Sequence, residues 1–219
     1  MTRLTINLLC EEAEIFSRME SEHPEPSLFG ITDGKAVGTY LELKFREYLV
    51  DRGYIFEQGN AASGLDFPDL NVDMKVTSIR QPQSSCPFRS IRQKVYGLGY
   101  SLIVFVYDKQ DDPKTRTATL RITDTVFVDK NRTADFQLTY GIRDILSKHG
   151  NQDDIMAFMS DRNLTADVME LSILAGEVMR NIPEVGYLTI SPALQWRLQY
   201  KRVIASAGQI SGIFSIFRV

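Results

Sequence analysis

A chain of 219 residues, 43% hydrophobic and 24% charged, can bury a full core without disulfides or a structural metal, which excludes both a disordered segment and a disulfide-stapled miniature scaffold. Its longest apolar run, residues 102–107, is too short for a membrane span, and the N-terminus lacks a secretory apolar stretch, so a cytoplasmic protein without a membrane partner is expected. The net charge of -3 excludes a surface that attracts nucleic acid all over, leaving only a local basic face open to that role.

In chain order, a first helix is expected over residues 7–19 and is broken by Pro24 and Pro26. Over residues 35–50, Val37, Tyr40, Leu41, Phe45, Tyr48 and Leu49 recur at steps of three and four, which marks an amphipathic helix, with Gly53 available as a left-handed cap. A short strand at 54–56 leads into a small-residue loop, 59–64. Leu65-Asp66-Phe67 and residues 72–77 then read as two strands joined by the turn Pro68-Asp69-Leu70-Asn71. In the second strand Val72, Met74 and Val76 form an apolar back, while Asp73, Lys75 and Thr77 form a polar front expected to be open. Residues 101–107 have the continuous apolarity of a central strand, and 117–128 supply one or two more. Helices are expected over 134–148, 153–160 and 166–180, the last capped by Thr165. The stretch 187–200 reads both ways: Ser191-Pro192 resembles a helix start, whereas Leu194, Trp196, Leu198 and Tyr200 alternate like a strand. The sum is an α/β fold, a central mixed sheet flanked by helices in one domain over 1–219. Within it a core is expected at about 35–130, followed by a helical, C-terminal part at about 131–219.

Hydrolysis of a phosphodiester asks for an activated water, positive charge on the non-bridging oxygens and stabilisation of the leaving oxygen. Mg²⁺ held by two carboxylates supplies these, and a lysine beside it orients the water. Asp73 and Lys75, two residues apart on a strand, share one face, and the turn returns Asp66 beside them. Asp69, within the turn, ranks below Asp66. An Asp-x-Lys alone is usually a solvated face. The second acid, the small-residue loop before it and the acid-free basic stretch after it together favour a site.

At these residues the sequence resembles a known family. Leu65-Asp-Phe-Pro-Asp-Leu-Asn-Val-Asp-Met-Lys-Val-Thr is similar to the D-F-P-E-L-G-x-E-L-K-T segment of the MutH mismatch-repair nickase and its restriction-endonuclease relatives, in the PD-(D/E)xK superfamily. The preceding Lys35-Ala-Val-Gly-Thr-Tyr-Leu-Glu is similar to that family's K-G-x-x-G-x-x-L-E element. The resemblance covers about a fifth of the chain, residues 35–77, and departs from MutH in having Asp73 in place of Glu. It implies a restriction-endonuclease-like core, Asp66 and Asp73 as metal ligands, Lys75 as catalytic lysine and Glu42 as the acid contributed by the helix. Without it, Glu42 would be read as a surface partner of Arg46 one turn later. It also implies Mg²⁺, with Mn²⁺ able to substitute, and double-stranded DNA as partner. The expected activity is that of a homodimeric, sequence-specific type II restriction enzyme. A MutH-like nickase is the alternative, and a non-catalytic DNA-binding module is another, which would lack one of the acids or the lysine.

Charge distribution extends the reading. Residues 74–107 hold Lys75, Arg80, Arg89, Arg92 and Lys94 and no acid, and residues 185–219 hold Arg197, Lys201, Arg202 and Arg218 and no acid. Arg80, Arg89, Arg92, Lys94, Arg197 and Lys201 are the candidate DNA contacts, chiefly to phosphates, with Lys94 placed much as a basic residue of the resembled family is. Trp196 is read as core rather than DNA-facing. Cys10 and Cys86 are ordinary thiols, and His23 and His149 have no metal-ligand spacing. Gly97-Leu98-Gly99 lacks the pattern of a nucleotide-binding loop, so no nucleotide cofactor is expected.

Overall fold

The structure is a computed structural model that describes the chain apart from residues 1, 60–63, 88, 163, 165–166 and 192–195. Its elements are β1 (Thr2–Arg3), α1 (Ile6–Glu20), β2 (Pro24–Glu25), α2 (Gly34–Asp51), β3 (Tyr54–Ile55), β4 (Val72–Ser78), β5 (Gln83–Cys86), α3 (Arg92–Tyr96), β6 (Ser101–Asp112), β7 (Thr117–Val128), α4 (Phe136–Ser147), α5 (Gln152–Asp161), α6 (Val168–Arg180), β8 (Thr189–Ser191), β9 (Trp196–Gln199), α7 (Lys201–Ser206) and β10 (Ile213–Arg218). They form two compact units. The first comprises residues 1–84, 101–128 and 203–219, and the second residues 85–100 and 129–202.

The first unit is built on a mixed sheet in the order β10-β7-β6-β4. β4 runs parallel to β6, with Asp73 beside Leu102 and Lys75 beside Val104, while β7 is antiparallel to both β6 and β10. Strand β7 is one element of twelve residues, and its edge also pairs with β2. Residues 101–107 are buried throughout, as a central strand requires.

Two helices pack on this sheet because their apolar residues fall on one stripe. In α1, capped by Thr5, these are Leu9, Ala13 and Phe16; in α2, capped by Asp33, they are Val37, Leu41, Phe45 and Leu49. Phe16, Phe45 and Phe105 meet edge-on or tilted, at ring separations of 4.9–6.0 Å, and join Met74 and Val72 from the back of β4 in one core. Gly53 ends α2 at φ +83°, its N–H bonded to the carbonyl of Val50.

The expected hairpin is reduced to one rung. Phe67 and Val72 exchange both backbone hydrogen bonds, at 3.0 and 3.2 Å, across a 3₁₀ turn at Pro68–Leu70 that closes with Asn71 at φ +55°. Leu65 and Asp66 lie outside any strand.

In the second unit, α3 to α6 enclose a core of Val95, Leu138, Ile142, Ile155, Met159 and Leu174, and β8 pairs antiparallel with β9. Helix α6 starts two residues later than expected, at Val168. Its cap is Asp167, which accepts the N–H of Glu170, and Thr165 lies outside the described residues. In the ambiguous stretch, Trp196–Gln199 is a strand and the expected helix start at Pro192 falls outside the described residues; Trp196 is buried.

Candidate active site

Four side chains predicted from sequence come together where α2 passes the β4 edge of the sheet. Strand β4 presents Asp73 and Lys75 on one face, and Lys75 Nζ lies 2.7 Å from Asp73 Oδ2. Asp66 reaches the same place from the limb before the turn, where its Oδ2 accepts the N–H of Met74 at 3.0 Å. Glu42 comes from α2. Together with Arg46, Gly59 and Leu65, the three acids line a cavity of about 260 Å³.

Gly59 makes the approach of Asp66 possible. Its N–H bonds to the carbonyl of Asp66 at 3.1 Å, and a Cβ built there would stand 1.7 Å from the carbonyl oxygen of Leu65. Among these turns this is a position that only glycine fits.

The polar front is not open. Asp73 is only 4% exposed, against the expectation of a solvated face, because period-two alternation fixes which way a side chain points and says nothing of what covers it. Burial shifts the acids accordingly. It pushes the Asp73 carboxyl up to about 6, with the neighbouring Asp66 adding to the rise and Lys75 opposing it. Burial also raises Glu42, to about 7, with the Asp66 charge adding to it. At Lys75 burial works against the charged form, but Asp73, Asp66 and Glu42 outweigh it and hold the ammonium above its usual range.

The site is thus crowded with negative charge partly held as protons, and its donors are carboxylate oxygens, the chemistry of a hard divalent cation. Among the described residues no three His, Cys, Asp or Glu side chains form a ready-made metal cage. Mg²⁺ does not need one, since one or two carboxylates plus waters and a substrate phosphate suffice.

The family described as Type II restriction enzyme NspV matches residues 3–215 of this chain. The chain belongs to the NspV restriction enzyme family. The type II restriction enzyme NspV of Nostoc sp. (strain ATCC 29411 / PCC 7524) is 64% identical to it over 218 residues, spanning 100% of this chain and 99% of that protein. No solved structure matches.

In this NspV-family chain the residue that sequence reasoning missed is Arg46. Considered only as the surface partner Glu42 would have without the family resemblance, it donates from Nη1 to Asp66 Oδ1 at 2.9 Å. Glu42 and Arg46 are one helical turn apart, so a site role for Glu42 already placed Arg46 on the same face. Asp69 stays in the 3₁₀ turn, and its buried Oδ1 has no hydrogen-bond partner among the described residues.

The basic candidates are distributed differently. Arg80, Arg89, Arg197 and Lys201 are exposed, with Arg80 3.9 Å from Asp108. Arg92 is taken up by Glu177, bonded through Nε at 3.0 Å and through Nη2, and also lies over the Tyr96 ring. Lys94 is buried in the second unit. Cys10 and Cys86 form no disulfide among the described residues, and burial pushes the Cys10 thiol up to about 12. His23 is 3.4 Å from Glu25, and His149 ends α4 at φ +62°.

Proposed function

We propose that this protein is a Mg²⁺-dependent, sequence-specific endonuclease of double-stranded DNA, a type II restriction enzyme of PD-(D/E)xK type whose catalytic centre is Asp66, Asp73, Lys75 and Glu42. The observation that carries this reading is the convergence of three acids on one cavity, with Lys75 2.7 Å from Asp73 and with Asp73 and Glu42 held above their ordinary pKa. Membership of the NspV family supports DNA as the substrate.

Asp66 and Asp73 would hold the metal, with Glu42 beside them. Bound there, Mg²⁺ supplies positive charge for a phosphate oxygen and acidifies a water. The chain's own residues do the rest. Lys75, kept protonated by the surrounding carboxylates, stands at the same cluster and donates hydrogen bonds to an attacking water or to the charge that grows on the phosphate. Arg46 and the Met74 N–H fix the two oxygens of Asp66, so the carboxylate is oriented before any substrate arrives. Glu42, with its pKa near neutrality, takes or returns a proton close to working pH. A homodimer fits the same reading, since a two-fold axis would set one such centre on each strand of a palindromic site.

Incubation of unmethylated plasmid with the protein and Mg²⁺, followed by sequencing of the ends, tests the proposal. Discrete fragments with one shared end sequence are expected, with activity retained in Mn²⁺ and lost in excess chelator. Undiminished cutting in chelator would overturn the metal reading, and an uncut, site-rich plasmid would overturn the activity.

A further inference from the structure

The second unit carries a cavity of about 210 Å³ that takes no part in the Asp66–Asp73 site. Its walls are Lys94 on α3, Gln137 in the first turn of α4, Arg162 at the end of α5, Thr189 and Ser191 on β8, and Asp135.

Lys94 is the anomaly there. It is 6% exposed, and a lysine so buried is ordinarily paired with an acid. Among the described residues no carboxylate lies within ion-pair distance of its ammonium and no hydrogen bond takes it up. Its recorded neighbour is the face of Trp196, 5.8 Å from Nζ to the ring centroid. Asp135 attracts it only from beyond ion-pair distance, and each Asp135 oxygen accepts a backbone N–H: Oδ1 that of Leu138 at 2.9 Å and Oδ2 that of Ile190 at 2.8 Å. Burial pulls its pKa down, and the Asp135 charge offsets that only in part.

The rest of the cavity offers donors. Arg162 is held over Phe158, 5.3 Å from the ring centroid, and gives one N–H to Gln137 Oε1 at 3.0 Å, which leaves further guanidinium donors for a ligand. Among the described residues nothing is hydrogen-bonded to the hydroxyls of Thr189 or Ser191. Two cations and two hydroxyls around a space of this size match a compact oxyanion, and a phosphate group, each of whose non-bridging oxygens accepts more than one hydrogen bond, offers enough acceptor sites for all four side chains.

We propose that this cavity is a phosphate-binding site of the second unit, in which Lys94 and Arg162 neutralise one phosphate group while Thr189 and Ser191 donate to its oxygens. That the phosphate belongs to a DNA backbone rests on the nuclease reading above, whereas the oxyanion chemistry stands independently of it.

Trp196 is the single tryptophan of the chain and sits against Lys94, so its emission reports on the cavity. The full-length protein in chelator is titrated with inorganic phosphate, with chloride at matched ionic strength as control, and separately with a short DNA duplex. A saturable change in emission is expected with phosphate and with duplex, the duplex response weakening as phosphate competes. Lys94→Met and Arg162→Gln should each weaken phosphate binding by about tenfold or more. Thermal melts establish that each variant is folded, and Arg162→Gln, at an exposed helix end, keeps the test intact if Lys94→Met does not fold. Absence of a saturable response to either ligand, or unchanged phosphate affinity in a folded variant, overturns the site. A response to phosphate alone retains the oxyanion site and overturns its DNA assignment. Plasmid cleavage separates the two readings: cleavage without any emission response sinks the cavity alone, and a response without cleavage sinks the nuclease reading alone.

Discussion

Glu42 is held away from its charged form by burial first and by the Asp66 carboxylate second, and a pKa raised to about 7 bears on stability as well as on the proposed catalysis. An acid whose folded-state pKa exceeds its unfolded value binds its proton more tightly when folded. It therefore costs nothing below about pH 4.5, and it destabilises progressively as pH rises from there to about 7, with the full penalty above. Glu42→Gln keeps the shape without the charge. In chelator at pH 8 we expect it to melt higher than the unsubstituted protein, by about 1 kcal/mol once the partial exposure of Glu42 is allowed for. At pH 4.5 the two curves should coincide. A variant that melted lower at pH 8 would contradict the crowding of charge described here. Substitutions at the other residues of the proposed centre test catalysis apart from folding. Asp73 is buried beside Lys75, so Asn substitutions are gentler than truncation: Asp66→Asn and Asp73→Asn, with Lys75→Met, should each lower cleavage roughly a hundredfold or more while leaving metal-free DNA binding in place. Asp69→Asn, confined to the 3₁₀ turn, should cut nearly normally. A dead Asp69→Asn beside an active, folded Asp66→Asn would exchange their roles.

At the scale of elements, what could be read locally was read. The apolar stripe of α2 and the alternation of β4 are properties of eighteen and seven consecutive residues, and both elements are found within a residue or two of their expected bounds. The site followed from them, since Asp73, Lys75 and Glu42 owe their meeting to those two periodicities. Asp66 depended on a non-local step, the return of the chain through the turn. That step survives as a single Phe67–Val72 rung reinforced by the Asp66 Oδ2 bond to Met74, rather than as two full strands. The features that escaped were set by distant partners. β10 pairs with β7 across some ninety residues of sequence, and nothing local in Ile-Phe-Ser-Ile-Phe-Arg names that partner. Arg46 could be placed on a face but not directed to Asp66, because helix spacing fixes neighbours along the helix and not across to a loop. Asp167 caps α6 through its bond to the Glu170 N–H, a role that residue type alone does not assign because Asp, Thr, Ser and Asn are all good caps.

At the scale of the whole molecule, binding to a polyanion must come from local basic surface, because the net charge of -3 is repulsive. Six residues are candidate phosphate contacts by sequence, and the structure separates those that are exposed from those already engaged. The Arg80 side chain is 81% exposed and faces Asp108 only at 3.9 Å, a separation and exposure at which an ion pair contributes little, so its charge is available to DNA. Arg92 is already engaged by Glu177 through two nitrogens, and that contact holds the Glu177 carboxyl below its ordinary range. The pairing returns no net charge to a ligand. Metal-free DNA affinity should accordingly fall with salt on a logarithmic scale by about 0.9 per neutralised phosphate, and Arg80→Gln should flatten that slope by about one. Arg92→Gln should leave the slope close to that of the unsubstituted protein, since no counterion is released by a guanidinium that never reaches a phosphate. Anisotropy of a labelled duplex between low and physiological salt measures all three slopes. A slope near zero for the unsubstituted protein would remove the basic face altogether. If Arg92→Gln flattened the slope as much as Arg80→Gln, Glu177 would have to release Arg92 on binding, and the static pairing would not describe the DNA-bound state.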